Sequence, residues 1–232
     1  MRILLVSDIH GNWQALQAVQ DEFDICLFLG DLVDYGPEPS PCIEWVRKNA
    51  SYGVRGNHDH GAAQRINTMG NVGFRYLTSV TRPMTIENLT EDERGYLSSL
   101  PLTQFLTLDG KRFMLCHASP WDPMDEYAPP DLNFWAPRLE GLNVDYVCVG
   151  HTHIPYTLKV GGTTVINPGS IGLPRDGDPR CAYAMIIDHD IQLKRVDYAA
   201  HLTMQTVHDG PLPPMAKNML EEVYTTGKLK MR

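Results

Sequence analysis

Short apolar runs that stop abruptly on glycine, aspartate or histidine constrain this chain more than any other feature. Arg2 to Val6 halts at Ser7-Asp8, Ile25 to Leu29 at Gly30-Asp31, and Asp145 to Val149 at Gly150-His151. An apolar run without alternation reads as a strand covered on both faces, as in parallel sheets. Helix signals lie between the first runs. Asn12 to Glu22 carries Trp13, Leu16 and Val19 on one face, with Phe23 just beyond. Ser40-Pro41 offers a serine N-cap followed by proline at the first helical position. With Tyr52 to Arg55 as a third strand, the β-α-β-α-β order predicts a parallel sheet with right-handed crossovers.

The texture then changes. Thr90 to Glu93 fits a capping box opening a helix to about Leu100. Phe105 to Leu108 and Arg112 to Cys116 flank Asp109-Gly110, a hairpin signal, and Tyr156 to Val160 and Thr163 to Asn167 flank Gly161-Gly162. Cys181 to Asp188 and Ile191 to Tyr198 form a third pair, and Pro213 to Tyr224 a terminal helix. Parallel units followed by hairpins predict two sheets packed face to face with helices outside. No repeat or long linker divides the 232 residues, so one domain over 1–232 is expected.

A formal charge of −8 argues against nucleic-acid binding through the general surface, so an anionic substrate needs a local positive feature. The N-terminal apolar run is too short for a signal peptide or a membrane span, and a soluble cytoplasmic protein is expected. No two of the five cysteines have CxxC spacing, so reduced thiols are expected rather than a disulfide framework.

Five segments carry the chemistry: Asp8-Ile9-His10, Gly30-Asp31-Leu32-Val33-Asp34, Gly56-Asn57-His58-Asp59, His117, and Gly150-His151-Thr152-His153. Each follows a strand-like run, where α/β sheets place their ligand sites. Gly30, Gly56 and Gly150 are read as permitting sharp turns. Asp8 and His10, like His151 and His153, are spaced to point the same way off an extended segment, so each pair is expected to grip one metal. Any one segment alone is uninformative; a DxH is common, and GDxxD is often a turn. Their joint occurrence in one order is the signal, and it takes in five of the nine histidines. Imidazoles, carboxylates and one amide, without thiolate, suit manganese, iron, cobalt, nickel or zinc. One carboxylate can bridge two such ions about 3.5–4 Å apart, the clamp used for attack at phosphorus. Two divalent cations against two aspartates leave the pocket locally cationic.

The order DxH, GDxxD, GNH[DE], H, GHxH resembles the calcineurin-like metallophosphoesterase superfamily over Asp8 to His153. Asn167-Pro168-Gly169-Ser170 further resembles a turn of its small bacterial phosphodiesterase-like members. The resemblance implies a four-layer α/β/β/α sandwich, two mixed sheets flanked by helices. It implies two divalent transition-metal ions, manganese favoured. Asp8, His10, Asp31 and His153 would hold one; Asp31, Asn57, His117 and His151 would hold the second, with Asp31 bridging. A hydroxide bridging the metals would be the nucleophile, His58 the general acid, and Asp34 the group orienting its ring. The implied partner is a small phosphoester, nucleotides included. The chain departs from the superfamily's protein phosphatases at Tyr35, where they carry an arginine, which argues against a phosphoprotein substrate. Phosphodiester cleavage is the favoured reaction, with monoester cleavage on the same centre as alternative. A non-catalytic interaction scaffold is a further rival, against which an intact His58 speaks.

Around this set, Arg55 and Arg175 fit a phosphate contact or, preferably, structural ion pairs. His60 fits a pocket wall or a solvated loop equally. Trp121, Tyr127, Phe134 and Trp135 could stack a nucleobase, but a cap packed on the core is the favoured reading. His189, His201 and His208 are assigned no role.

Overall fold

In the computed structural model, which describes residues 1–230, β1 (Arg2–Val6) sends successive side chains to opposite sides. Ile3 and Leu5 enter an apolar layer shared with Phe113, Leu115, Cys148 and Ile166. Leu4 and Val6 enter a second layer with Ala15, Leu16, Ile43 and Val46. That alternation makes β1 a divider between two cores, which is why its sequence is apolar from Ile3 to Val6. β2 (Ile25–Phe28) pairs parallel to β1 with Leu5 opposite Leu27, and β3 (Tyr52–Gly53) pairs parallel to β2. α1 (Trp13–Gln17) and α2 (Pro39–Asn49) are the crossovers. After α3 (Asn57–Ala63), α4 (Gly73–Asn88) and α5 (Glu91–Ser99), the hairpin of β4 (Thr103–Leu108) and β5 (Lys111–Cys116) opens a second sheet. α6 (Leu132–Leu139) precedes β6 (Tyr146–Cys148), β7 (Tyr156–Val160) and β8 (Thr163–Asn167). The chain returns to the first sheet with β9 (Cys181–Ile187) and β10 (Asp190–Val196) and ends in α7 (Ala200–Asp209) and α8 (Pro214–Thr226).

The sheet orders are β10-β9-β1-β2-β3 and β4-β5-β6-β8-β7. Both are mixed: β9 runs antiparallel to β1, while β5, β6 and β8 run parallel to one another. Burial of Leu5, Leu27, Phe113 and Leu115 between the sheets stabilises the pairing by roughly 1.5–3 kcal/mol per side chain. Trp135 and Leu139 of α6 cover the outer face of the second sheet. The four layers expected from the sequence are present. All five cysteines are buried and free, and burial raises the Cys26 thiol to about 12. No helix among the described residues is long and apolar enough to cross a membrane.

Several sequence expectations need correction. The first helix ends at Gln17 rather than Glu22, and Asp21 instead binds Lys194 and Tyr183 across the sheet. α2 begins at Pro39 with Glu38 as N-cap, so Ser40 and Pro41 lie inside the first turn. Proline is tolerated there because the first N–H groups of a helix need no partner within it. The third strand is only Tyr52–Gly53. α3, α4, α6 and α7 went unread. α4 places Phe74, Leu77, Val80 and Met84 at helical spacing, but Pro83 interrupts the run, and Thr78, Thr81, Arg82 and Thr85 share the buried face and dilute its apolar stripe.

Candidate metal and catalytic site

The C-terminal ends of β1, β2, β5 and β6, with the start of α3 after β3, deliver the five segments to one place. Asp8, His10 and His153 form one group of potential ligand atoms, and Asp31, His117 and His151 form another. His151 and His153 therefore part company, against the spacing argument and in the division that the family resemblance implies. The spacing argument assumes extended backbone, which neither pair has: φ is 64° and 60° at His151 and His153, and 52° and 47° at Asp8 and His10, which nevertheless stay in one group. Asp31 and Asp34 are left-handed as well, at 62° and 67°. A non-glycine residue in this region costs roughly 1–3 kcal/mol and persists where surrounding structure enforces it, a concentration typical of functional sites.

Each carboxylate divides its labour. Asp8 Oδ2 accepts from Ser7 Oγ (2.6 Å) and the His151 N–H (3.1 Å), leaving Oδ1 3.1 Å from His153 Nε2 with no hydrogen-bond donor. Asp31 Oδ1 accepts from the His58 N–H (2.9 Å), while Oδ2 lies 3.2 Å from His117 Nε2 and 3.7 Å from His10 Nε2. Asp31 Oδ2 thus stands between the two groups.

The imidazoles are oriented by backbone carbonyls. The Nδ1–H groups of His10, His117 and His153 donate to Val33, Leu29 and Leu173 at 2.8, 2.7 and 2.5 Å. Carbonyls only accept, so the Nδ1–H tautomer is set and Nε2 turns inward with its lone pair. Burial lowers the basicity of His10 and His153 and brings His151 down to about 3. Yet His10 Nε2 and His153 Nε2 lie 3.2 Å apart, two acceptors face to face. Burial alone would depress His117 too, but Asp31 reverses this and lifts it to about 10. The buried Asn57 Oδ1 and His117 Nε2 also lack a hydrogen-bond partner. Converging unpaired acceptors are repulsive on their own, and divalent cations satisfy all of them at once. The donor set fits the group that the sequence implies.

The glycines act differently from expectation. Gly30, at φ 97°, does make a left-handed turn. Gly56 and Gly150 do not; a Cβ on Gly56 would sit 2.0 Å from Asp31 Oδ1, and one on Gly150 1.9 Å from Ser7 Oγ. They are glycines because carboxylate-bearing loops cross them closely.

His58 lies beside these groups, with Nδ1 donating to Asp34 Oδ2 at 2.7 Å. Sequence reasoning missed the third member, Arg82 of α4, whose Nε donates to the same oxygen at 2.7 Å. Arg82 is only 3% exposed, and its Nη1 reaches the Ile66 carbonyl at 2.9 Å. A Cβ at Gly61 would lie 1.8 Å from that Nη1, so α3 makes room for it. Burial pushes the Asp34 carboxyl up, but His58 and Arg82 outweigh it and hold Asp34 below the usual range. The Tyr35 hydroxyl stands 3.5 Å from His58 Nε2 and accepts from Thr78 Oγ1 at 2.8 Å.

Asp59 was missed as well. It accepts from the N–H groups of Asp31 (2.8 Å), Leu32 (2.7 Å) and Gly56 (3.1 Å), tying the loop after β2 to the start of α3. Asp59→Ala should lower the unfolding free energy by roughly 3 kcal/mol or more, since each stranded buried donor costs about 1–3. Urea denaturation measures this, and a loss under about 1 kcal/mol would mean the donors find other acceptors.

The remaining candidates separate. Asn167 donates to the Gly150 carbonyl (2.7 Å) and Ser170 Oγ to the Asp8 carbonyl (2.7 Å), so this turn braces two ligand loops. Arg55 donates to the Ser98 carbonyl at 3.0 Å and does not line the cavity. His60 and Arg175 do line it, in a cavity of about 500 Å³ that also includes His58, Asn57 and His151. Trp135 is fully buried in the core, whereas Trp121 and Tyr127 are exposed at 63% and 56%. Only part of the aromatic segment is a packed cap. His189 pairs with Asp109 and His208 with Glu221, away from the site.

A family model described as a calcineurin-like phosphoesterase superfamily domain matches residues 1–190. The chain is 31% identical to an uncharacterized protein of Methanocaldococcus jannaschii, over 91% of this chain and 93% of that one. It is 26% identical to the phosphodiesterase YfcE of Escherichia coli, over 82% and 89%. The crystal structure of a metallophosphoesterase from Sphaerobacter thermophilus superposes with a TM-score of 0.79 at 31% identity, covering 96% of this chain and 99% of that one.

Proposed function

Given that the chain belongs to the calcineurin-like phosphoesterase superfamily, and so is a phosphoester hydrolase, we propose that it is a phosphodiesterase working with two divalent transition-metal ions. The observation that carries this reading is the convergence of unpaired acceptors in two adjoining groups. Asp8, His10 and His153 would hold one ion, His117, His151 and Asn57 would hold the other, and Asp31 would contribute to both. Manganese is the expected metal from the oxygen and imidazole donors. When bound, the ions supply Lewis acidity and a water that ionises near neutral pH.

The chain's own residues do the rest. His58 presents Nε2 toward the cavity and delivers a proton to the departing oxygen. Asp34, held by Arg82, keeps the Nδ1–H of His58 engaged, so the ring cannot turn away or adopt the wrong tautomer. The Asn57 amide stabilises charge growing on the phosphoryl oxygens. No side chain is required as nucleophile. Diester preference is supported by the likeness to the E. coli phosphodiesterase and by Tyr35, which occupies the place of a phosphate-binding arginine. The substrate is a small phosphoester, nucleotides included, and the expected compartment is the cytoplasm.

A panel assay with manganese tests the reading. Bis-p-nitrophenyl phosphate and a cyclic or dinucleotide diester should be cleaved, and a phosphopeptide should not. Turnover of aryl monoesters and phosphopeptides with no diester cleaved would overturn it.

A further inference from the structure

Among the described residues, Arg175 is a cation without a counter-ion in the catalytic cavity. Its guanidinium carbon lies 3.9 Å from the centroid of the Phe74 ring, so one face of the planar group is covered. Phe74 is itself backed by Tyr35, edge-on at 6.2 Å. The Nε of Arg175 is buried and meets no acceptor. The carboxylates nearest in sequence are already engaged, Asp176 by Arg195 and Asp178 by Arg180. The buried or half-buried Arg82, Arg138 and Arg195 each have a carboxylate partner. A half-buried guanidinium without one is costly unless a ligand supplies the anion.

Its position says which anion. The Arg175 N–H donates to the His153 carbonyl (3.4 Å), and both side chains line the cavity that contains His58 and Asn57. The two divalent ions leave the site locally cationic within a protein of formal charge −8, and Arg175 adds to them a fixed cation on the cavity wall that can also donate hydrogen bonds to a phosphate ester. A guanidinium stacked on an aromatic ring keeps its N–H edge free and pre-oriented, and that fork matches two oxygens of a phosphoryl group.

The geometry points to Arg175 as the residue that grips non-bridging oxygens of the substrate phosphoryl group, and of the product after hydrolysis (a monoester from a diester, inorganic phosphate from a monoester), with Phe74 as its platform. It supplies from the segment after β8 a cation that Tyr35 does not provide. This assignment rests on phosphoester hydrolysis and is independent of whether mono- or diesters are preferred.

The test is calorimetric titration of inorganic phosphate into the manganese-loaded protein, with metal content measured alongside. Arg175→Met should bind phosphate roughly 10–100-fold more weakly with unchanged metal content, the range for lost charge-assisted hydrogen bonds. Arg175→Lys, which keeps the charge but not the fork, should fall between. Phe74→Leu leaves the arginine in place and should weaken phosphate roughly 2–5-fold by removing the stack. It decides the matter if Arg175→Met does not fold. Wild-type phosphate affinity in Arg175→Met, or in Phe74→Leu where that variant must decide, overturns the assignment. So does a wild-type protein that binds no phosphate. A wild type that binds phosphate but cleaves only monoesters defeats the diesterase reading and leaves Arg175 standing.

Discussion

His58→Ala should slow cleavage of an alkyl or nucleoside phosphodiester by roughly 10²–10⁴-fold while costing far less on a nitrophenyl diester. The difference lies in the leaving group. A nitrophenolate departs without a proton, whereas an alkoxide must be protonated as it leaves. The structure equips His58 for that step and little else: its Nδ1 is committed to Asp34 at 2.7 Å, and its Nε2 meets only the Tyr35 hydroxyl at 3.5 Å. The ring is 8% exposed, buried enough to be held and open enough to reach a ligand. Comparing kcat/KM for both esters in wild type and variant separates the readings. If His58 only packs the loop, both substrates will suffer alike. A variant that has shed its metals would likewise remove the case for proton transfer.

Asp31→Asn should deplete both metals at once and lower activity by at least roughly 10³-fold, more than the loss of a single preorganised donor. Asparagine preserves the shape and can still accept from the His58 N–H, the bond that Asp31 Oδ1 makes at 2.9 Å. It cannot present a second anionic oxygen between His117 and His10, where Asp31 Oδ2 lies 3.2 and 3.7 Å from their Nε2 atoms. Elemental analysis of the purified variant decides. Full retention of one ion with loss of the other would contradict a shared carboxylate and restrict Asp31 to one group.

Much of the architecture was legible because strands and hairpins report themselves locally. The turns at Asp109-Gly110 and Gly161-Gly162 and the Thr90 capping box are formed as read, since each depends on residues within a few positions. α4 was not legible. Its apolar residues Phe74, Leu77, Val80 and Met84 are helically spaced, but Pro83 interrupts them, and the buried threonines and arginine make sense only beside Tyr35, Asp34 and His58.

The same division runs through the site. The sequence by itself carried the inventory of candidate donors, and with it the expectation of a borderline divalent ion, because ligand chemistry is a property of residue type and of position at a strand end. Residue spacing could not determine how the donors are shared out; only the family resemblance implied a division. Asp8 and His10 stay together while His151 and His153, equally spaced and equally left-handed, serve different groups, so tertiary placement decides. Arg82 reaches Asp34 across 48 residues, and His10 meets His153 across 143. Such encounters are set by how the two sheets and α4 pack, and no local rule encodes them. Gly56 and Gly150 make the point most simply. Their backbone is ordinary, and only the close passage of Asp31 and Ser7, brought there by tertiary structure, forbids a side chain.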